Sequence, residues 1–393
     1  MIREVTVQLR LPANDMSREE ILKQIAFISK EIRKPALSTD GVTLTFEAPE
    51  GLAGELAPRV ETLAATIQRG LRNLQRKVVY RSMAADSPTY RRVAEVPGLH
   101  QMGPGQVILE GPALALYRYF DRVFEEMGRS FGAKPLLTPT LIPSRVLAKC
   151  DYFRSFPNSV TFACHLPEDS ATISNFRERH QDKSDLDDEV IRELTRPEAC
   201  LSPAVCYHVY HLFEGHSIPA EGLVFGVCGK CFRYESTNMC GLRRLWDFTL
   251  REVVFLGNRE NVLRSRDASI ELVSRFLEDH ELAGEIRTAS DPFFVAPDSV
   301  AKTYFQVTSE TKFEISLMLS NGDRLAVGSH NYHTEFFGKA FNVVVEAAGP
   351  MHSVCVGFGL ERWVYAFLDQ HGTDPGRWPS VVRHSPEFAM GTS

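Results

Sequence analysis

The 393-residue chain predicts an α+β fold: a largely antiparallel sheet flanked by helices, preceded by a small N-terminal β-α-β-α unit. Two observations carry that assignment. From residue 222 onward the apolar runs LVFGV, FTLREVVFL, TKFEISLML, RLAVGS, FNVVVEA and SVCVGFG succeed one another, without the strand–helix alternation of a doubly wound parallel sheet. The first 80 residues, by contrast, switch between a period of two and a period near 3.6. At 44% hydrophobic and 24% charged residues the chain can fill a sizeable core, which argues against extended disorder.

Val5, Val7, Leu9 and Leu11 alternate with polar neighbours, as in a half-buried strand. Ser17 and Glu20 have the spacing of a capping box, and Ile21, Ile25, Ile28 and Ile32 follow at helical steps. Val42, Leu44 and Phe46 give a second strand after Asp40-Gly41. Leu56, Val60, Leu63, Ile67, Leu71, Leu74 and Val78 form one apolar stripe, which predicts a helix running through residue 78. Its far side carries Arg69, Arg72, Arg76 and Lys77, a pattern that reads as a solvated face. Residues 1–90 are thus expected to form an N-terminal α/β domain, and residues 91–110, with Gly103-Pro104-Gly105, a linker. Residues 111–380 are expected to form the main domain. Within it a helix spans about 113–128, a strand ends near Pro139, a polar insertion covers 165–200 with a short helix at 185–196, and a last helix starts near Leu360. Residues 381–393 read as a tail.

Several function classes are set aside at this level. A net charge of −6 is no mark of a general nucleic-acid binder. No apolar run approaches the roughly 18–20 residues of a membrane span. The opening MIREVTVQLRLP is too charged for a signal peptide, so a soluble, cytoplasmic protein is expected. The eight cysteines, at 150, 164, 200, 206, 228, 231, 240 and 355, then read as reduced thiols or metal ligands.

Two stretches carry chemistry. Phe232-Arg233-Tyr234-Glu235 is followed, after the turn-rich residues 236–242, by Asp247-Phe248-Thr249-Leu250-Arg251-Glu252. Paired as a hairpin, these strands offer a guanidinium for phosphate, a ring that can stack on a purine, and two carboxylates on one face; a surface hairpin held by a salt bridge is the plainer alternative. In the second stretch, Val354 to Trp363, Gly357 and Gly359 allow close backbone approach before a helix whose first turn holds Glu361 and Arg362. Spacing alone also singles out Cys228-x-x-Cys231, with Cys240 beyond it, as a metal knuckle.

Together the two stretches resemble the second and third signature motifs of class II aminoacyl-tRNA synthetases, and Gly111–Pro139 is similar to the first. Within that superfamily the chain resembles the amino acid:[carrier protein] ligases, relatives of the atypical zinc-dependent seryl-tRNA synthetases. The resemblance implies a homodimer that activates a small amino acid (glycine, alanine or serine) as an aminoacyl-adenylate. It implies ATP, with magnesium, on Arg233, Glu235, Arg244, Leu245, Phe248, Ala326, Val327, Gly328, Ser329 and Arg362, with Arg233 and Arg362 as the catalytic pair. It implies one zinc per subunit on Cys206, Glu252 and Cys355, Glu252 also facing the substrate's amino group. His330 and His333 are candidates for the pocket wall, though structural roles suit them as well.

The expected acceptor is the phosphopantetheine thiol of a carrier protein. Residues 1–90 are nearly balanced, with 13 Lys and Arg against 11 Asp and Glu, and lack long paired helices with which to grip tRNA. Arg177 and Arg179, or Arg72 and Arg76, are candidate docking positions for an acidic carrier protein. Two other readings stay open: a seryl-tRNA synthetase, and a non-catalytic regulatory paralogue.

Overall fold

The computed structural model describes residues 1–88, 90, 91, 93, 95–186, 188–235, 239–291 and 299–389; positions 236–238 of the turn-rich stretch and 390–393 of the tail lie outside the described residues. The chain opens with β1 (Ile2–Gln8), α1 (Asp15–Gln24), β2 (Arg33–Leu37), β3 (Thr43–Pro49) and α2 (Glu50–Leu71). The three strands form one antiparallel sheet in the order β1-β3-β2. Ile21, Ile25, Phe46, Leu56, Val60 and Ile67 fill the core beneath it.

Three local expectations are corrected here. The cap of α1 is Asn14 rather than Ser17: its Oδ1 accepts from the Ser17 amide at 2.9 Å, and its Nδ2 donates to Leu71 O at 3.2 Å, tying the start of α1 to the end of α2. Glu20 is buried and accepts from Gln24 Nε2 instead of reaching back to the cap. The α2 helix stops at Leu71; Val78 falls in β4 (Val78–Arg81), where the sheet edge supplies backbone partners that outweigh the helical spacing. The strand β2 carries no apolar alternation, which is why periodicity missed it.

Next come β5 (Leu99–Gly103) and β6 (Gln106–Leu109), a hairpin within the stretch expected as a linker; the Gly105 carbonyl accepts from the Trp246 amide at 3.0 Å. The helix α3 (Gly111–Ser130) leads to β7 (Lys134–Leu136). In the insertion, the α-helix is α4 (Ser170–His180), and only a 3-10 turn forms at Asp188–Glu193. No apolar residue of α4 is buried, so no apolar stripe announced it.

The remainder is α5 (Cys206–Leu212), β8 (Leu223–Phe232), β9 (Asp247–Gly257), α6 (Arg259–Asp279), β10 (Gly284–Thr288), α7 (Ser299–Thr308), β11 (Lys312–Met318), β12 (Arg324–Tyr332), β13 (His352–Gly359) and α8 (Leu360–His371), with short elements between. An eight-stranded sheet runs β4-β10-β11-β12-β13-β9-β8-β7, antiparallel except for the β8–β7 pair. Side chains on one face, including Val253, Phe255, Val354, Val356 and Phe358, pack with α3, α6 and α8 into the main core. Phe124 stacks on Phe358 at 4.0 Å between ring centroids, beside Phe120, Phe276 and Trp363. The other face carries the residues singled out by the motifs.

Candidate active site

Strand register builds that second face. Opposite Glu252 on β9 lies Gly357 on β13; beyond Gly357 lies Ser329 on β12, beyond Ser329 lies Glu314 on β11, and beyond Glu314 lies Arg287 on β10. One step along, Cys355 lies opposite Val254 and Asn331. One step the other way, Leu250 faces Gly359. Since side chains two apart on a strand share a face, Phe248, Leu250 and Glu252 border a floor made of Gly357 and Gly359. A Cβ at Gly357 would lie 3.5 Å from Glu252 Oε1, so the glycine leaves that volume open.

Cys206, at the start of α5, brings its thiol to the same place. The Sγ atoms of Cys206 and Cys355 and a Glu252 carboxylate oxygen all lie within 4.8 Å of one another, and all three residues are buried. Glu252 Oε2 also accepts from the Cys206 amide at 2.8 Å. Burial pushes the Glu252 carboxyl up, and the Cys355 thiol is raised by its hydrogen bond with Cys206 and by burial. Burial and the neighbouring Glu252 charge oppose ionisation of both thiols, a cost that a divalent cation would reverse. Two thiolates and one carboxylate are a donor set suited to zinc, with one tetrahedral position left for another ligand. The set therefore fits the metal that the motifs imply. Cys228 and Cys231 do not compete: three apart on β8, they point to opposite faces, and Cys228 Sγ donates to Asp121 Oδ1 at 3.4 Å.

The motif-two residues stand beside this cluster. Arg233 follows the end of β8; its Nε donates to Pro203 O at 3.0 Å, and its guanidinium carbon lies 5.3 Å from the Phe248 ring centroid. Glu235 and Arg244 face each other across the loop at 3.1 Å. Leu245 is buried in the main core. Arg362 anchors two segments at once: its Nε donates to Arg243 O at 2.8 Å and its Nη1 to Ala326 O at 3.0 Å. Val327 points into the core, and a Cβ at Gly328 would come within 2.6 Å of Gly357 O, so only Ala326 and Ser329 of that run can face the cleft. His330 is fully buried on the core face, and burial lowers its pKa to about 3; His333 packs with Tyr210 and Phe337, its Nδ1 at 3.1 Å from Ser353 Oγ. His330 thus turns away from the glycine floor, whereas His333 lies on the Cys355 side of the sheet, against Ser353.

Two residues beside the site escaped the motif reading. Asn331, opposite Cys355, donates to Ser329 Oγ at 2.9 Å, while its Oδ1 is buried without a partner among the described residues. Glu314, next to Ser329 in the row, is half-buried. Alternation from Ser329 would have located Asn331; Glu314 needed the pairing of β11 with β12. Glu361 is more structural than its motif suggests: its carboxylate accepts from Thr249 N at 2.9 and 3.0 Å and from Thr249 Oγ1 at 2.9 Å, clamping α8 to β9.

Amino acid–[acyl-carrier-protein] ligase 1 of Bradyrhizobium diazoefficiens is 32% identical over 273 residues, covering 67% of this chain and 80% of that protein. The chain belongs to this ligase family. A second such ligase from the same organism is 32% identical over 251 residues and is covered to 72%. The type-2 serine–tRNA ligase of Methanopyrus kandleri is 27% identical over 295 residues, of which the chain spans only 56% of the length. In fold the family sits among the class II synthetases: the M. kandleri seryl-tRNA synthetase bound to tRNASec superposes with a TM-score of 0.67 at 22% identity, covering 97% of this chain and 76% of that one. The cytoplasmic seryl-tRNA ligase of Naegleria fowleri, in complex with AMP, matches with a TM-score of 0.58 at 12% identity. No family profile matches the chain. Among the described residues no helix is long and apolar enough to cross a membrane.

Proposed function

We propose that the protein activates a small amino acid (glycine, alanine or serine) with ATP and passes it to the phosphopantetheine thiol of a carrier protein. The observation that carries this reading is the convergence of Cys206, Glu252 and Cys355 beside the Arg233–Phe248 pair. Zinc on Cys206, Glu252 and Cys355 would supply a Lewis-acidic position for the substrate's amino group. Arg233 would hold the α-phosphate of magnesium-bound ATP, Phe248 would stack on adenine with Glu235 at its edge, and Arg244 and Arg362 would draw the outer phosphates. Gly357 and Gly359 would let the amino acid lie close to the sheet, with its carboxylate in line with the α-phosphorus. Attack there forms the aminoacyl-adenylate and releases pyrophosphate. The carrier's thiol, losing its proton, then displaces AMP to give a thioester.

Coverage supports the carrier protein as acceptor: the chain accounts for 80% of one carrier-protein ligase but 56% of the M. kandleri serine–tRNA ligase. One observation favours tRNA, since the superposition on a tRNA-bound synthetase extends over 97% of the chain. A regulatory paralogue would be expected to lose the ATP-facing side chains, and Arg233, Glu235, Phe248 and Arg362 are all present. A cytoplasmic homodimer, and the division at residues 90, 110 and 380, belong to the same proposal. Its test supplies ATP and labelled glycine, alanine or serine, with holo carrier protein and total tRNA as parallel acceptors. Label on the holo form, absent from the apo form and released by hydroxylamine, is the expected result; label on tRNA alone would overturn it.

A further inference from the structure

The row of side chains that starts at Cys355 ends in a buried ion pair. Asn331 lies opposite Cys355 on one side and opposite Lys312 of β11 on the other, so all three share the cleft face. With neighbouring strands about 4.8 Å apart, the backbone at Lys312 lies about 10 Å from that at Cys355. Lys312 is buried, and its Nζ donates to Asp291 Oδ1 at 2.5 Å. Burial opposes ionisation of Asp291, but Lys312 and Gln306 hold its carboxyl down to about 2, so a carboxylate faces the ammonium at neutral pH.

Asp291 is also fixed from the side of α7. Gln306 donates to Asp291 Oδ2 at 2.7 Å and accepts from the Asp291 amide at 2.7 Å. One turn earlier on the same face of α7, Lys302 donates to Ser155 Oγ at 3.1 Å and lies 3.8 Å from Asp151 Oδ2. Tyr152, in that same segment, sets its ring 6.1 Å from the ring of Tyr207, the neighbour of Cys206. The helix thus links the wall beside Cys206 to the floor at Lys312. Val307, next to Gln306, seats it in the N-terminal core.

We propose that the Lys312–Asp291 pair is the end wall of the amino-acid pocket and determines which side chains enter it. The inference deepens the activation reaction proposed above and rests on it. With the substrate's amino group at Cys206, Glu252 and Cys355, its side chain extends along the row toward Asn331 and Lys312. Each charge of the wall is matched by the other. A third charge brought into that buried space would go unpaired, so acidic and basic side chains are rejected while small uncharged ones pass. Removing one member of the pair leaves the other to select a side chain of opposite charge.

Amino-acid-dependent ATP–pyrophosphate exchange by the full-length protein reads this preference, with thermal unfolding followed in parallel. The substrates are glycine, alanine, serine, aspartate and α,γ-diaminobutyrate, the last two of equal chain length and opposite side-chain charge. The wild type should use a neutral amino acid and neither charged one. Asp291→Asn is expected to raise kcat/KM for aspartate, relative to the best neutral substrate, by about tenfold or more. Lys312→Met should do the same for diaminobutyrate, and the double variant should lose both gains because neither charge remains. An unchanged ratio in either folded single variant, a gain that persists in the double variant, or a wild type that prefers a charged amino acid overturns the inference. Where one single variant does not fold, the other decides. Absence of exchange in the wild type with all five amino acids would instead overturn the functional reading.

Discussion

Cys355 is held between two strands at the edge of a glycine floor, within reach of a second thiol and a carboxylate. A change of one atom should therefore be decisive: Cys355→Ser is expected to lower bound zinc to near zero and exchange activity by about 100-fold or more, because a hydroxyl is a poor zinc ligand. Metal analysis of the purified variant checks the first effect and exchange the second. Glu361 makes a contrasting case. Its carboxylate takes three hydrogen bonds from Thr249, so Glu361→Gln should cost about 1–3 kcal/mol of stability in urea denaturation. Residue types alone distinguish these roles poorly. Both lie in the third motif, and only the direction of each side chain separates the thiol–carboxylate cluster from the clamp.

At the level of elements, the docking of α1 is electrostatic as well as apolar. Burial opposes ionisation of Glu19, but Lys23, Arg76 and Arg287 overcome it and hold its pKa at about 2, against an ordinary 4.5; Glu20 is the other acidic group alongside. A carboxyl with a depressed folded pKa stabilises the fold above its unfolded value and loses that contribution as pH falls from about 4.5 toward 2. Discounted for partial exposure, the loss is about 1–2 kcal/mol. Hydrogen exchange in α1 should accordingly accelerate over that window, and a Glu19→Gln variant should show little such dependence. The same network removes Arg76 from the candidate docking positions, since its side chain is only 7% exposed. Arg179 is engaged as well, with Glu193 at 2.6 Å. What was legible here followed local pattern: β1, β3, α3 and the runs of the large sheet. The end of α2 was not, because Leu74 remains buried beyond the helix and Val78 continues the spacing by coincidence. Tertiary pairing with β10 decided the outcome.

For the whole molecule, the architecture and the grouping of Cys206, Glu252 and Cys355 were readable because motifs fix residue type and order. The third dimension of the site was not, since Asn331 and Glu314 join it only through register between strands distant in sequence. The placement of the N-terminal unit had the same obstacle. Because it shares a strand and a core residue with the catalytic sheet, calorimetry should show one cooperative transition, whereas independently folding parts would give two.

The place of β4 has a further consequence for anyone shortening the chain. Removing residues 1–90 would strip the partner from β10 and leave Gly284–Thr288 as a bare strand edge on an otherwise intact sheet. Unpaired amides and carbonyls in that register are a template for other chains. The trimmed protein should therefore recruit copies of itself edge to edge and leave solution as aggregate, and a loss of activity in such a fragment would report on colloidal behaviour before it reported on chemistry.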